Sequence, residues 1–446
     1  MKTLRQFSLA ILVLFHFGCV KTQFAEPTTN GSNNLKAKLT SNATVLAGDL
    51  SDGNIKYFGR WDFSNPAEYA SYWGGAYFRV NFTGTTVKIK VGYPTHYYAK
   101  IDNGPWVSYY NASGTINLTP TPLTNGTHTL SVAQGKDYDY VFKFQGLVLD
   151  AGATTSAPST FTELIEWIGD SITCGYTDEQ ANVSGYGWVC SEQLLHTEHT
   201  QIAYPGIRLV SGDNGPGMDV QYFKLQNPSF NTAPAWDFTR YTPKVIVINL
   251  GTNDNGHVAE NQFRDSYITF LNNIRTKFPN VEIFVMRTFN GYLVTPTVAA
   301  VNARIAAGDT KVHYIDTNGW LTNADYTDGL HPSVAGNIKA ANLLQPILQP
   351  YLTGTANNGV TFYQDTNYGG AASQVLPVGN YTLAQLAARG MPNDWASSVK
   401  VPAGRTLIMY ADDNFSGTSW TRTGDTPNFT TLSPNANDQV SSVRVQ

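Results

Sequence analysis

The strongest constraint on the fold is a run of almost uninterrupted apolar residues, Val-Ile-Val-Ile-Asn-Leu, at positions 245–250. A strand with one face in water alternates apolar and polar residues, whereas this run is typical of a parallel strand buried on both faces. Similar strand patterns occur at residues 164–168, 281–286 and 312–315, and helix-like segments lie near residues 263–278, 297–307 and 333–348. This alternation predicts a three-layer α/β domain with a parallel sheet over residues 160–351.

The preceding residues, 43–152, follow a different period. Apolar and aromatic residues alternate with polar ones at 77–82, 86–91 and 138–144, and turn sequences such as Asp102-Asn103-Gly104 separate these runs. A period of two between turn signals is typical of half-buried strands. This part of the chain is therefore predicted to be an all-β domain, a jelly-roll sandwich.

The C-terminal part contains an internal duplication. After a linker at residues 352–359, the segment 362–370 recurs as 409–417, and Asn-Asp-x-x-Ser-Ser at 393–398 recurs at 437–442. Both pairs keep their order at nearly the same offset. Residues 360–446 are therefore predicted to be two homologous β units packed as one small domain.

The N-terminus resembles an export signal. Lys2 and Arg5 precede an apolar stretch at residues 7–17, which is too short to span a bilayer as a helix, and Gly18-Cys19 follows. We expect residues 1–19 to be a signal peptide, residues 20–42 a linker, and the mature protein to be secreted or held at the cell surface. Two outcomes stay open, a bacterial lipoprotein anchored through Cys19 or ordinary cleavage nearby.

The charge and the cysteine content of the chain limit which partners and which covalent links are expected. The net charge is -4, the pI is about 6.1 and 14% of residues are charged, without a Lys/Arg-rich run, so a nucleic-acid partner is not expected. Apart from Cys19, the chain holds Cys174 and Cys190. In an oxidising compartment these two residues form either a disulfide or two buried thiols.

Three short motifs stand at or beyond the carboxyl ends of the predicted parallel strands, the edge where open α/β sheets bind ligands. They are Gly-Asp-Ser ending at Ser171, Gly-Thr-Asn-Asp at 251–254, and Asp-Gly-Leu-His from Asp328 to His331. Taken singly, they are common as a helix cap, an Asx turn and a surface ion pair. Taken together, they supply a nucleophile, a hydrogen-bond donor and a base oriented by a carboxylate.

These motifs resemble those of the SGNH (GDSL-type) hydrolase superfamily. The resemblance implies a flavodoxin-like sheet in which Ser171 is the nucleophile and His331 the base, supported by Asp328. It also implies an oxyanion hole formed by the backbone N–H groups of Ser171 and Gly206 and the side chain of Asn253. No G-x-S-x-G elbow is evident, which argues against an ordinary α/β-hydrolase.

The segment 166–176, Glu-Trp-Ile-Gly-Asp-Ser-Ile-Thr-Cys-Gly-Tyr, looks like the nucleophile segment of carbohydrate esterase family 2, which also places a β jelly-roll before its esterase domain. The resemblance spans about residues 46–351. It implies a cofactor-independent acetylesterase that deacetylates plant cell-wall polysaccharide, xylan or mannan, through an acetyl-enzyme. Some family members lack the triad carboxylate, so Asp328 has either an essential or a supporting role.

Two other functions stay open. The same fold serves lipases and thioesterases that act on acyl esters, and a non-catalytic carbohydrate-binding surface protein is the third hypothesis. Three aromatic residues, Trp188, Tyr292 and Trp320, either form a sugar-binding platform near the site or pack in the core or rim.

The duplicated C-terminal motifs resemble the calcium motif of Greek-key βγ-crystallin domains. The resemblance implies Ca²⁺ ligands at four residues: Asp394, Ser397, Asp438 and Ser441. Carboxylates, hydroxyls and backbone carbonyls are the oxygen ligands that Ca²⁺ prefers. The alternative is that these side chains cap turns in a metal-free domain.

Overall fold

The structure is a computed structural model that describes residues 46–136, 141–213, 215–230, 234–352, 359–387, 389–402 and 405–446. The predicted signal peptide, the Cys19 anchor and the linker at 20–42 lie outside the described residues, as do positions 138–140 of one predicted strand and most of the linker at 352–359. Within the described ranges, no helix combines the length and apolarity needed to cross a bilayer.

The N-terminal domain is all β, as predicted, and its strand pairs are antiparallel. Its strands are β1 Lys56–Phe58, β2 Trp61–Asp62, β3 Tyr69–Ser71, β4 Tyr77–Gly84, β5 Val87–Ile101, β6 Val107–Asn117, β7 Gly126–Gln134, β8 Phe142–Leu149 and β9 Thr155–Ser156. The spatial order is β1-β4-β7-β5-β8-β3-β2, with β6 on β5 and β9 on β4. Because β9 pairs with β4, this domain continues to Ser156, past residue 152 where the sequence pattern suggested its end.

The central domain is built on a five-stranded sheet in which every pairing is parallel. Its strands are β10 Leu164–Gly169, β11 Glu198–Ala203, β12 Val245–Asn249, β13 Glu282–Met286 and β14 Val312–Ile315. The spatial order β11-β10-β12-β13-β14 is the flavodoxin-like order, and its topological switch point lies between β10 and β12. The predicted parallel, flavodoxin-like sheet is therefore confirmed.

Helices cover both faces of this sheet. They are α1 Ser171–Cys174, α2 Tyr186–Trp188, a π-helix Val189–Leu195, α3 Met218–Gln221, α4 Glu260–Lys277, α5 Val294–Ala306 and α6 Val334–Leu352. In β12, Ile246 and Ile248 belong to the core beneath α4 and α5, whereas Val245 and Val247 belong to the core beneath α6. This double burial explains why the run at 245–250 carries almost no polar residues.

The β domain and the α/β domain share a buried boundary. The indole of Trp73, from the β domain, lies inside the α/β core and donates from Nε1 to the Leu225 carbonyl at 2.9 Å. The buried Arg60 guanidinium donates to the carbonyls of Tyr222 and Lys224. A charge as fully buried as Arg60 requires such acceptors, so this boundary is specific and not a loose contact.

The C-terminal domain has the predicted duplicated, βγ-crystallin-like form. Its elements are β15 Thr361–Tyr363, β16 Gly379–Tyr381, α7 Leu383–Ala387, β17 Ser398–Lys400, β18 Leu407–Asp412, β19 Ser416–Arg422 and β20 Ser442–Val445. Equivalent contacts recur in the two units. The hydroxyl of Ser398 donates to the Asp365 carbonyl at 2.6 Å, and that of Ser442 donates to the Asp412 carbonyl at 2.7 Å. In addition, β16 of the first unit pairs with β20 of the second.

The shared boundary predicts that the first two domains unfold together. Trp73→Ala should lower the free energy of unfolding by about 3–5 kcal/mol, because it opens a cavity in the α/β core. Urea denaturation followed by tryptophan fluorescence and by far-UV circular dichroism measures this loss. The matched Trp73→Phe variant keeps most of the packing and should lose less. An unchanged denaturation midpoint for Trp73→Ala would contradict the shared core.

Candidate active site

Ser171 lies directly beyond β10, at the first position of α1. Asp170 caps this helix, because its Oδ1 accepts a hydrogen bond from the Ile172 N–H at 2.9 Å. The turn needs glycine at position 169, since a Cβ there would lie 1.9 Å from Thr173 Oγ1 and 3.1 Å from the Asn249 carbonyl oxygen. The Gly-Asp-Ser motif thus sets a sharp strand-to-helix turn that places the hydroxyl at the sheet edge.

His331 connects the Ser171 hydroxyl to a carboxylate. Its Nε2 lies 2.9 Å from Ser171 Oγ, and its Nδ1 lies 2.8 Å from Asp328 Oδ2. The other carboxylate oxygen, Asp328 Oδ1, accepts hydrogen bonds from the backbone N–H groups of His331 and Leu330. The backbone N–H of His331, with help from its imidazole, lowers the pKa of Asp328 to about 2. The carboxylate therefore stays ionised and can hold an Nδ1–H tautomer of His331.

The loop after β11 carries Gly206. The Ile207 N–H donates to the Tyr204 carbonyl at 3.2 Å, and Gly206 has a φ of 78°. Proline followed by a glycine with positive φ is characteristic of a type II turn, so the Pro205-Gly206 pair specifies this turn locally. The strand β11 pairs with β10, which brings the Gly206 loop to the same sheet edge as Ser171.

Asn253 joins the Gly206 loop to the serine turn. Its Nδ2 donates to the Ile207 carbonyl at 2.9 Å and makes a longer contact of 3.3 Å with Asp170 Oδ2. Burial raises the pKa of Asp170 to about 7, and the nearby Asp254 carboxylate adds to the rise. The two loops are therefore linked through one amide group.

Asp254 is a residue that the sequence interpretation did not single out. Its two carboxylate oxygens accept hydrogen bonds from the backbone N–H groups of Leu209 at 2.8 Å and Val210 at 3.0 Å. Burial raises its pKa to about 6, while these N–H groups oppose the rise. Asp254 is the last residue of the Gly-Thr-Asn-Asp motif, so its place at the sheet edge could be predicted. Its hydrogen-bond partners, in the neighbouring loop after β11, could not be identified from sequence spacing.

The predicted sugar-contacting aromatic residues divide into two groups. Tyr292 and Trp320 are half-buried and lie on loops after β13 and β14, at the catalytic edge. For Trp188 the core-packing alternative holds and the sugar-binding one does not, since this residue is 1% exposed. It packs against the rings of Tyr77 and His199, with centroids 5.1 and 4.3 Å apart, because the β domain covers this surface.

Tyr176 is an exposed aromatic residue that the sequence interpretation left without a role. Its side chain is 47% exposed, and its ring centroid lies 5.7 Å from that of His331. On the loop after β13, Asn290 Nδ2 donates to the Gly329 carbonyl at 3.1 Å, which links the β13 loop to the loop that carries His331. Tyr176 follows Ser171 by five positions, but no periodic pattern in the sequence indicates that its ring lies beside the imidazole.

Cys174 and Cys190 are both buried thiols that do not form a disulfide, so of the two alternatives the buried thiols hold in this structure. They lie in different apolar clusters, Cys174 beside Ala203 and Cys190 beneath α6. Burial raises the pKa of the Cys190 thiol well above its usual range, as expected of a packing residue.

The predicted calcium residues lie between the two units of the C-terminal domain. Ser397 Oγ lies 3.5 Å from Asp438 Oδ1, and Ser441 Oγ donates to Asn393 Oδ1 at 2.7 Å, so each serine reaches the opposite unit. Asp394 and Asp438 share the same positive φ of 52°. Among the described residues, no three His, Cys, Asp or Glu side chains cluster, so a cation here would also need hydroxyl, amide or carbonyl oxygens.

Comparison with known proteins agrees with this domain order. A family model described as GDSL-like lipase/acylhydrolase matches residues 167–337, and one described as carbohydrate esterase 2 N-terminal matches residues 57–158. Separately, 70 residues, 16% of this chain, are 49% identical to development-specific protein S of Myxococcus xanthus and cover 38% of that protein.

Two relatives match 64% of this chain. Cellulase/esterase CelE of Acetivibrio thermocellus is 28% identical over 315 residues, and the chain spans only 38% of its length. An acetylxylan esterase / glucomannan deacetylase of Cellvibrio japonicus is 24% identical over 322 residues, 87% of its length.

A solved structure matches the same region. A family two carbohydrate esterase from Clostridium thermocellum, in complex with cellohexaose, superposes with a TM-score of 0.60 and 26% identity, covering 66% of this chain and 98% of that one. The order of the two family models, the parallel sheet and the placement of the three motifs all agree with this likeness. Residues 57–337 are therefore similar to carbohydrate esterase family 2 in their arrangement, a β domain followed by a GDSL-type (SGNH) hydrolase domain.

Proposed function

We propose that this chain is a serine esterase that removes acetyl groups from plant cell-wall polysaccharide. The observation that carries the proposal is the continuous hydrogen-bond series from Ser171 Oγ through His331 to Asp328. Such a series activates a hydroxyl as a nucleophile. The names of the two relatives, cellulase/esterase and acetylxylan esterase / glucomannan deacetylase, support a carbohydrate acetyl ester as the substrate.

The reaction proceeds in two halves. Ser171 Oγ attacks the acetyl carbonyl carbon while its proton passes to His331 Nε2, and the carbonyl electron pair moves onto oxygen. The intermediate collapses, the sugar oxygen leaves with the proton from His331, and an acetyl ester remains on Ser171. Water then attacks that ester with His331 as base, acetate leaves and the serine hydroxyl is restored. Asp328 holds the imidazole through Nδ1 in both halves.

The developing oxyanion is stabilised by the backbone N–H groups of Ser171 and Gly206 and by the Asn253 amide. The first N–H groups of a helix have no partner within the helix, which favours negative charge near Ser171. Of the two Nδ2 hydrogens of Asn253, one is held by the Ile207 carbonyl at 2.9 Å. The other meets Asp170 at 3.3 Å, a weak contact that an oxyanion can replace.

Asp254 acts in this scheme as a positioning residue. It fixes the backbone of Leu209 and Val210, three and four residues after Gly206, and Asn253 fixes the carbonyl of Ile207. Together these contacts hold the Gly206 loop from the β12 side of the sheet. An oxyanion donor gives its full effect only when its position is set before the reaction begins.

The substrate we propose is acetylated xylan or mannan. Support comes from the family two esterase structure with bound cellohexaose, which indicates that this architecture accommodates a β-linked sugar chain. We further propose that the protein is exported, with Cys19 as the site of a lipid anchor, on the strength of the N-terminal sequence pattern.

Calcium binding by the C-terminal domain is a separate proposal. Asp394, Ser397, Asp438 and Ser441 would supply oxygen ligands, and their placement between the two units would let one cation hold both. Calcium has no role in the proposed ester hydrolysis.

Removing the nucleophile or a donor tests the enzyme proposal. Ser171→Ala should abolish acetate release from acetylated xylan, and Asn253→Ala should lower kcat by about 10²–10³, the usual effect of losing one oxyanion donor. Acetate release is compared with release of longer acids from acyl esters, which separates an acetylesterase from a lipase or thioesterase. Near-normal activity of a folded Ser171→Ala protein would end the assignment.

Removing the Asp254 carboxylate tests its positioning role. Asp254→Ala should lower kcat on the order of 10–100-fold with little change in KM, because a displaced donor weakens transition-state binding more than substrate binding. The matched control is Asp237→Ala, which removes a carboxylate that accepts hydrogen bonds from Thr239 in an exposed turn. Equal kcat in Asp254→Ala and wild type, with both folded by circular dichroism, would exclude the role.

Thermal denaturation tests the calcium proposal. Millimolar CaCl₂ should raise the Tm of the C-terminal transition above that in chelator, since a ligand that binds the folded state stabilises it. The double variant Asp394→Ala, Asp438→Ala should lose the shift, whereas Ser171→Ala should keep it. A wild-type Tm that is identical in calcium and chelator would show that these residues only cap turns.

A further inference from the structure

Tyr110, on β6 of the N-terminal domain, is an exposed aromatic side chain on a rigid support. Its side chain is 53% exposed, and its ring stacks on the imidazole of His96 with centroids 4.0 Å apart and planes at 20°. His96 lies on β5, is 3% exposed, and its Nδ1 accepts a hydrogen bond from the Lys136 backbone N–H at 3.2 Å. The Tyr110 ring is therefore oriented before any ligand arrives.

The support beneath Tyr110 carries no charge at neutral pH. Burial lowers the pKa of His96 to about 4, with a smaller contribution from Lys136. The stacked pair therefore presents a neutral aromatic surface, which suits the apolar C–H face of a sugar ring better than an ionic ligand.

The strand pair β5–β6 is attached to the segment that follows the nucleophile. Gln180 Nε2 donates to the Trp106 carbonyl at 2.8 Å, and the Tyr98 hydroxyl lies 3.4 Å from the Glu179 carbonyl oxygen. This segment begins at Tyr176, beside His331. Short contacts thus lead from the catalytic imidazole to the β5–β6 pair.

Few aromatic side chains are exposed in the part of the chain that the structure describes. Among the described residues, the aromatic side chains classed as exposed are those of three tyrosines: Tyr93 on β5, Tyr110 on β6 and Tyr176 beside the active site. Of these three, Tyr110 is held by ring stacking on a buried side chain, and Tyr176 lies beside His331.

We propose that Tyr110, supported by His96, is a remote subsite that binds the main chain of the polysaccharide at sugars beyond the one that bears the acetyl group. Its ligand is a neutral, β-linked sugar chain, whose C–H face stacks on the Tyr110 ring. Tyr176 lies beside His331, at the start of the segment whose residues Glu179 and Gln180 contact the β5–β6 pair. The inference rests on the proposed function, because it extends the substrate from the reacting sugar to the chain that carries it.

A comparison of long and short substrates tests the subsite. For each variant, kcat/KM on acetylated xylan is divided by kcat/KM on p-nitrophenyl acetate, which is too short to reach β6. Tyr110→Ala should lower this ratio about three- to tenfold, the scale of one aromatic stacking contact. Tyr110→Phe should restore it, because the ring remains. Val107→Ala removes an aliphatic side chain that is 49% exposed on the same strand and should leave the ratio unchanged.

Failure of the subsite and failure of the esterase assignment give different results. A wild type that hydrolyses both substrates, with an unchanged ratio in Tyr110→Ala, overturns the subsite alone. If no acetate is released from either substrate, calorimetric titration with xylohexaose and cellohexaose still tests whether Tyr110 binds sugar. Weaker binding by Tyr110→Ala than by Val107→Ala supports the subsite, and equal or absent binding overturns it. A change in molar mass by light scattering without an effect on either sugar would assign Tyr110 to a protein interface and also overturn it.

Discussion

The parallel pairing of β10 with β11 on one side and β12 on the other is the interaction on which the site depends. Each of these strands ends at the same sheet edge, so the loops that follow them meet although they are far apart in the chain. Ser171 follows β10, Gly206 follows β11 and Asn253 follows β12. A shift of register in either pairing would move the Ser171 turn away from the loops that carry Gly206 and Asn253.

Much of this arrangement could be predicted from sequence because its signals are local. The Gly-Asp-Ser turn, the buried run at 245–250 and the Asp-x-x-His motif each specify their own geometry within a few residues. The three long helices of the α/β domain begin and end within a few residues of the predicted ranges, since each carries a long apolar period.

What sequence could not supply was contact between distant segments. Tryptophan is a residue type that often contacts sugars, but Trp188 is buried. The side chains that cover it come from the β domain, more than 80 residues earlier in the chain. Likewise, the hydrogen bonds from Asp254 to the Gly206 loop depend on how two loops pack. Arginine is usually found at the surface, but Arg60 lies buried against the α/β domain.

The short spacing between Asp328 and His331 has a consequence for how the site tolerates change. Because His331 and Asp328 lie on one loop, and the Asp328 carboxylate accepts from the backbone N–H of His331 as well as contacting its ring, their mutual geometry is determined within four residues. For the contact between the imidazole and the hydroxyl, the rest of the molecule must preserve one long-range relation, that between this loop and the serine turn. The surrounding loops can therefore change in length and composition while the pair of Asp328 and His331 remains intact as a unit.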